Sequence, residues 1–191
     1  MRNIIRLVIV LLVLCACEPV EPTRLTNTSG LLPDLSFQLI DENKQLVTQQ
    51  DYRGQLVVLF FGFTHCSDVC PTAMHKLSSV MGKLATSAAG IKVLFVSVDP
   101  DRDSFSRLKR YTEIFGPNFV GLTMDKESIR QMSKRYRVTF GYGEANAEGA
   151  YDVSHSGAMF IFDRHGKARL LARPSSSIED IFVDFQRLLA E

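Results

Sequence analysis

Six consecutive apolar residues, Leu56-Val-Val-Leu-Phe-Phe61, stop at Gly62, and Cys66, Cys70 and Pro71 follow closely. A run rich in β-branched and aromatic residues, with no polar alternation, reads as a strand buried on both faces. Pro71 opens an amphipathic segment. Proline suits the first helical position, because its missing N–H would have no partner there. Two cysteines four positions apart therefore sit where a buried strand hands over to a helix.

The flanking segments extend this plan. Phe37–Ile40 and Gln45–Thr48 are expected as two short strands around Asp41-Glu42-Asn43-Lys44, a hairpin-like start. After Pro71, Met74, Leu77, Val80, Leu84 and Ala88 recur at helical spacing, and Gly90 closes that helix. Ile91–Val98 is a second buried strand, ending at Asp99-Pro100. Phe105, Leu108, Tyr111 and Phe115 mark a second helix, Phe119–Leu122 a short strand, and Ile129, Met132 and Tyr136 a third helix. Residues 141–151 form a small-residue, acidic excursion. Ala158–Asp163 and Ala168–Ala172 follow as a hairpin. A capping box of Ser176 and Glu179 then starts a final helix. This order predicts an α/β fold: a central mixed sheet flanked by helices, with an N-terminal β-hairpin extension. A strand–loop–helix start carrying two cysteines, with a terminal hairpin and helix, is the thioredoxin-like plan.

The N-terminal residues do not belong to that domain. Arg2 and Arg6 precede or flank an apolar run, Leu7–Leu14, shorter than the roughly 18–20 residues a membrane span needs. Residues 1–16 therefore read as a secretory signal. Leu14-Cys15-Ala16-Cys17 resembles a bacterial lipobox, which makes Cys17 the expected lipidated residue. Residues 17–33, polar and containing prolines, are expected as a tether, and 34–191 as the domain. The domain then lies outside the cytoplasm, on the periplasmic side of a bacterial membrane, held by a lipid anchor. Setting aside Arg2 and Arg6 leaves 20 basic residues against 21 acidic ones. That balance supplies no electrostatic footprint for nucleic acid.

Cys66 and Cys70 are the cysteines left to the domain. A disulfide between them would close a loop too small to stabilise the fold much, so a metal or redox role is the stronger reading. The helix N-terminus favours negative charge and is expected to bias Cys70 in particular toward thiolate. Two thiolates on one loop form a soft chelate, suited to copper(I), zinc or iron–sulfur.

Four histidines compete for a third position. His155 precedes the strand Ala158–Phe162, where a thioredoxin-like fold faces the cysteine loop. Disulfide oxidoreductases carry a cis-proline there, yet this chain has no proline between Pro117 and Pro174. His155 thus completes the preferred set, and that set is read as a copper site. His65, next to Cys66, is an alternative ligand or a tuning group. His75 and His165 are expected on the surface. Met74 is expected in the core rather than as a thioether donor. Asp68 is a surface carboxylate or weak axial group. Asp99, at the end of the second strand, is expected to orient the site through hydrogen bonds.

Three motifs in order, Phe61-Gly-Phe-Thr-His-Cys-Ser-Asp-Val-Cys-Pro71, Ser97-Val-Asp-Pro-Asp-Arg-Asp103 and Tyr151-Asp-Val-Ser-His-Ser156, resemble the Sco/SenC family of cytochrome c oxidase assembly proteins. The resemblance runs from about Leu35 to the C-terminus. It implies a membrane-tethered thioredoxin-like domain with copper on Cys66, Cys70 and His155. It also implies delivery of copper to the CuA centre of oxidase subunit II, or reduction of that centre's cysteines. Another copper enzyme, a second periplasmic copper chaperone and a thiol reductant complete the range of partners. One departure is Ser154, where many relatives carry Asp.

A thiol–disulfide oxidoreductase is the main alternative, with Cys66 attacking and Cys70 resolving. A copper or oxidant sensor would use the same residues. A peroxiredoxin-like peroxidase fits less well: Thr64 lies two before Cys66 rather than three, and no Pro lies between Pro33 and Pro71.

Overall fold

The computed structural model describes residues 22–147 and 151–191. The expected signal segment 1–16 and the expected lipidation residue Cys17 lie outside them. The strands are β1 (Thr26–Asn27), β2 (Gln38–Asp41), β3 (Leu46–Thr48), β4 (Leu56–Gly62), β5 (Ile91–Ser97), β6 (Phe119–Thr123), β7 (Phe140–Tyr142), β8 (Val153–His155), β9 (Met159–Phe162) and β10 (Ala168–Ala172). The helices are α1 (Val69–Leu84), α2 (Phe105–Glu113), α3 (Lys126–Arg135) and α4 (Ile178–Ala190). Among the described residues, eight strands form one sheet in the order β1-β10-β9-β4-β5-β6-β2-β3. β4, β5 and β6 run parallel, and the other pairings are antiparallel. The expected α/β fold, mixed sheet and N-terminal hairpin are all present.

β4 is the middle of the molecule. All seven of its residues are buried, and it is hydrogen-bonded to β5 on one side and β9 on the other. Burying a side chain such as Leu59 or Phe61 contributes about 1.5–3 kcal/mol over leaving it in water, so this strand anchors the core. α1 and α4 pack against one another, and α2 packs on β6.

Several elements differ from the sequence expectation. α1 begins at Val69, so Pro71 is its third residue rather than its first. Proline is still accommodated, since the N–H groups of the whole first turn lack intrahelical partners. α1 ends at Leu84, and a 3-10 turn (Ala85–Gly90) carries the chain on to β5. The cap of α4 is Ser177, whose hydroxyl accepts from Asp180 N, not the Ser176–Glu179 box. Residues 141–151 are not simply an excursion: β7 and β8 pair across them, Phe140 opposite His155. The described part of the expected tether is docked rather than free, because β1 adds to the sheet edge beside β10 and Leu25 is buried.

Candidate metal centre

β4 ends at Gly62, and the chain crosses from there to α1 by the loop that carries Cys66. A Cβ on Gly62 would lie 2.7 Å from Cys70 Sγ and 2.8 Å from the Phe95 ring. The missing side chain is what lets Cys70, in the first turn of α1, settle over the strand end. Cys70 is fully buried, whereas Cys66 is half-buried.

Asp103 ties the loop down. Its buried carboxylate accepts from Thr64 N at 2.9 Å, from the Thr64 hydroxyl at 2.6 Å and from the Ser97 hydroxyl at 2.7 Å. The residues leading into Cys66 are thereby fixed to the end of β5. A turn also forms at the loop itself, with Cys66 N donating to Phe63 O.

His155 arrives from the β7–β8 ribbon. Its ring meets Phe63 and Phe60 edge-on, with centroids 5.6 Å and 6.2 Å away. Nδ1 lies 3.0 Å from the Ser156 carbonyl. A carbonyl only accepts, so Nδ1 carries the proton and Nε2 keeps its lone pair. That Nε2 lies 3.2 Å from Cys70 Sγ. Burial lowers the His155 pKa below its usual 6.5, which favours the neutral, ligating form.

The two sulfurs and this nitrogen lie within 4.8 Å of one another. Cys66 and His155 line a cleft of about 390 Å³ together with Phe63, Asp68, Arg102 and Tyr151, and Cys70 is buried behind them. Two sulfurs and one imidazole nitrogen, two of the three reached from the cleft, suit a soft, borderline metal ion with a free coordination position.

Electrostatics at the cysteines correct one expectation. The helix N-terminus does not depress Cys70; burial pushes its thiol far above the usual range, with the neighbouring Cys66 adding to the rise. The N–H of Cys70 itself points at Cys66 Sγ, 3.4 Å away, so this helix-terminal donor serves the half-exposed thiol.

The other candidates separate cleanly. His65 is exposed, 3.2 Å from Arg107 Nη1 and 3.6 Å from the Asp103 carboxylate, and outside the three-donor cluster. His75 and His165 are exposed, and His75 stacks edge-on against Phe115. Met74 is core. Asp68 is exposed at the N-cap of α1 without a capping hydrogen bond, and it lines the cleft. Asp99 reaches the site through intermediaries. Its carboxylate accepts from Arg102 Nε at 2.5 Å and from the Tyr151 hydroxyl at 2.7 Å, and Arg102 Nη1 donates to Tyr151 O at 2.9 Å. The guanidinium lies 3.8 Å over the Tyr151 ring. Sequence reading overlooked Arg102, Asp103 and Tyr151, although all three stand inside the quoted motifs.

A mixed sheet of this order, with paired cysteines at the strand-to-helix turn and a histidine before β9, defines a thioredoxin-like domain with a candidate metal centre. The SCO1/SenC family model matches residues 16–190, and the chain belongs to that family. The mitochondrial SCO2 homolog of Bos taurus is 34% identical over 162 residues, 80% of this chain and 61% of that protein. The chain thus spans about three-fifths of that relative. The copper-bound structure of Bradyrhizobium japonicum ScoI is 32% identical with TM-score 0.73, covering 81% of this chain and 98% of that one. A SCO1/SenC family lipoprotein from Bacillus anthracis is 26% identical with TM-score 0.72, covering 89% and 100%.

Proposed function

We propose that this chain is a copper-binding assembly factor that holds copper on Cys66, Cys70 and His155 and delivers it to the CuA centre of cytochrome c oxidase subunit II. The observation that carries this reading is the approach of His155 Nε2 and both sulfurs to within 4.8 Å at an open cleft. Copper bound to a relative supports the identity of the metal. Copper is cargo here, so the site must hold it and also release it. Cys70 provides a buried donor and His155 a half-buried one oriented through Nδ1, while the half-exposed Cys66 is the thiol an incoming ligand reaches first. Asp99, Arg102 and Tyr151 act behind the donors, holding the segment that leads into His155. Lipidation at Cys17 would place the domain at a membrane outside the cytoplasm, as the Bacillus anthracis lipoprotein supports. The test is copper transfer from the loaded, reduced protein to an apo subunit II fragment. Transfer is expected; reduction of the fragment's disulfide without transfer would displace this reading.

That second reading, a thiol–disulfide oxidoreductase, is favoured by the asymmetry of the pair. Cys66 is half-exposed and Cys70 buried behind it. Cys66 thiolate would attack a substrate disulfide and form a mixed disulfide. Cys70 would then displace the substrate as dithiol, leaving a Cys66–Cys70 disulfide and passing two electrons to the substrate.

A further inference from the structure

The route by which the chain reaches the domain determines which way the centre faces. β1 pairs with β10, Thr26 opposite Leu171 and Asn27 opposite Leu170. Backward from Thr26, the register leads to Ala172, which lies opposite Met159, and Met159 lies opposite Phe60, near the Gly62 end of β4. The N-terminal arm therefore leaves the sheet at the end that bears Cys66, Cys70 and His155. Three strand spacings separate β1 from β4, about 14 Å.

The arm is locked at that end. Leu25 is buried, and its N–H donates to the fully buried Asp184 carboxylate of α4 at 2.7 Å. Thr28 N donates to Arg169 O, and Arg24 lies 3.7 Å from Asp180 in the first turn of α4. The turn between β10 and α4 also touches the site. A Cβ on Gly157, two residues after His155, would lie 2.7 Å from both Pro174 and Val69. From Leu25 back to Cys17 is eight residues, a reach of at most about 29 Å.

We propose that the Cys66–Cys70–His155 face is presented toward the lipid surface that anchors the chain, so that the protein which takes the metal offers its acceptor site close to that surface. This rests on the membrane-anchor part of the proposed function and not on the identity of the metal.

The experiment uses the full-length, processed protein in phosphatidylcholine vesicles containing a quencher on the lipid headgroup. A fluorophore is attached, in a Cys66→Ser/Cys70→Ser background, at Ser154→Cys beside the cleft or at His165→Cys in the β9–β10 turn. Both positions are exposed, and they lie at opposite ends of the sheet. Asp68→Cys beside the cleft and Ala89→Cys, exposed just before β5 where Ile91 lies opposite Leu56 at the far end of β4, form a second pair, in case one variant misfolds. β4 alone spans about 23 Å, so quenching is expected to be roughly two-fold or more stronger at the site end. A Gly/Ser insertion of about 20 residues before Glu21 should erase the difference. Equal or reversed quenching on vesicle-bound protein overturns the orientation while leaving the anchor intact. Failure to float with vesicles overturns the anchor and the orientation together, and copper transfer to the soluble fragment would still be measurable.

Discussion

Cys70 Sγ and His155 Nε2 lie 3.2 Å apart although 85 positions separate them in the chain. The contact joins the first turn of α1 to the end of β8. In the reduced form the Cys66–Cys70 pair presents two thiols with an imidazole alongside whose neutral form burial favours. Replacing His155 by Ala should weaken copper(II) binding by more than tenfold, about 1.4 kcal/mol or more, while copper(I), which prefers the two sulfurs, is affected less. Competition titration with each oxidation state measures this. Unchanged copper(II) affinity would remove His155 from the ligand set.

The thiols should differ in reactivity. Thiolate is the nucleophile, and burial holds Cys70 as thiol. Brief treatment of the reduced apoprotein with iodoacetamide near neutral pH is expected to modify Cys66 first. Peptide mass spectrometry reads the order, and equal rates at both positions would contradict the burial described for Cys70.

Gly62 should not tolerate a methyl group. Its Cβ would meet Cys70 Sγ, Phe95 and Phe60 at 2.7, 2.8 and 3.0 Å, and none of these sits at the free end of a flexible chain. Overpacking of this kind costs about 1–3 kcal/mol. Gly62→Ala is therefore predicted to lower stability in urea and to weaken copper(I) binding, because the Cys70 thiol is displaced. Normal affinity in a folded Gly62→Ala protein would show that the thiol position is not critical.

The metal-free protein should lose stability on mild acidification through His155. Its folded pKa lies below the usual 6.5, so between the two values the unfolded chain binds the extra proton. Stability from this residue is complete above about pH 6.5 and falls as pH drops through that window. Urea unfolding at pH 7.5 and 5.5 should show a smaller loss for His155→Gln than for the parent. An equal loss would falsify the assignment.

The sheet and the cysteine loop at its centre are legible because burial writes itself into composition. Leu56–Phe61 admits few readings other than a central strand, and the cysteines follow it directly. What escaped depends on contacts distant in sequence. β7 and β8 are three residues each and pair across a loop without strong strand signals. β1 is only two residues long and is held by Asp184 on the last helix. The helix-terminus expectation for Cys70 rests on the local dipole, whereas burial over the bare Gly62 end of β4 removes the sulfur from water. Asp103 is one of three acids in the Ser97–Asp103 motif, with nothing local to mark it out. Only the fold turns it toward Thr64.

Arg102 provides the sharpest test of how the histidine is held. Its guanidinium joins Asp99, the Tyr151 carbonyl and the Tyr151 ring, four residues before His155. Arg102→Gln keeps polarity but removes the ion pair and the stacking. Losing a partner that orients a ligand typically costs 10- to 100-fold in metal affinity. Copper(II) affinity should fall in that range. The copper(II) paramagnetic resonance spectrum should also shift toward that of His155→Ala, because the nitrogen donor is no longer held in place. Arg102→Lys keeps the charge but not the planar fork, so it should restore only part of the signal. A merely structural role would change stability and leave the spectrum of bound copper as in the parent protein. That outcome would place Arg102 outside the machinery of the centre.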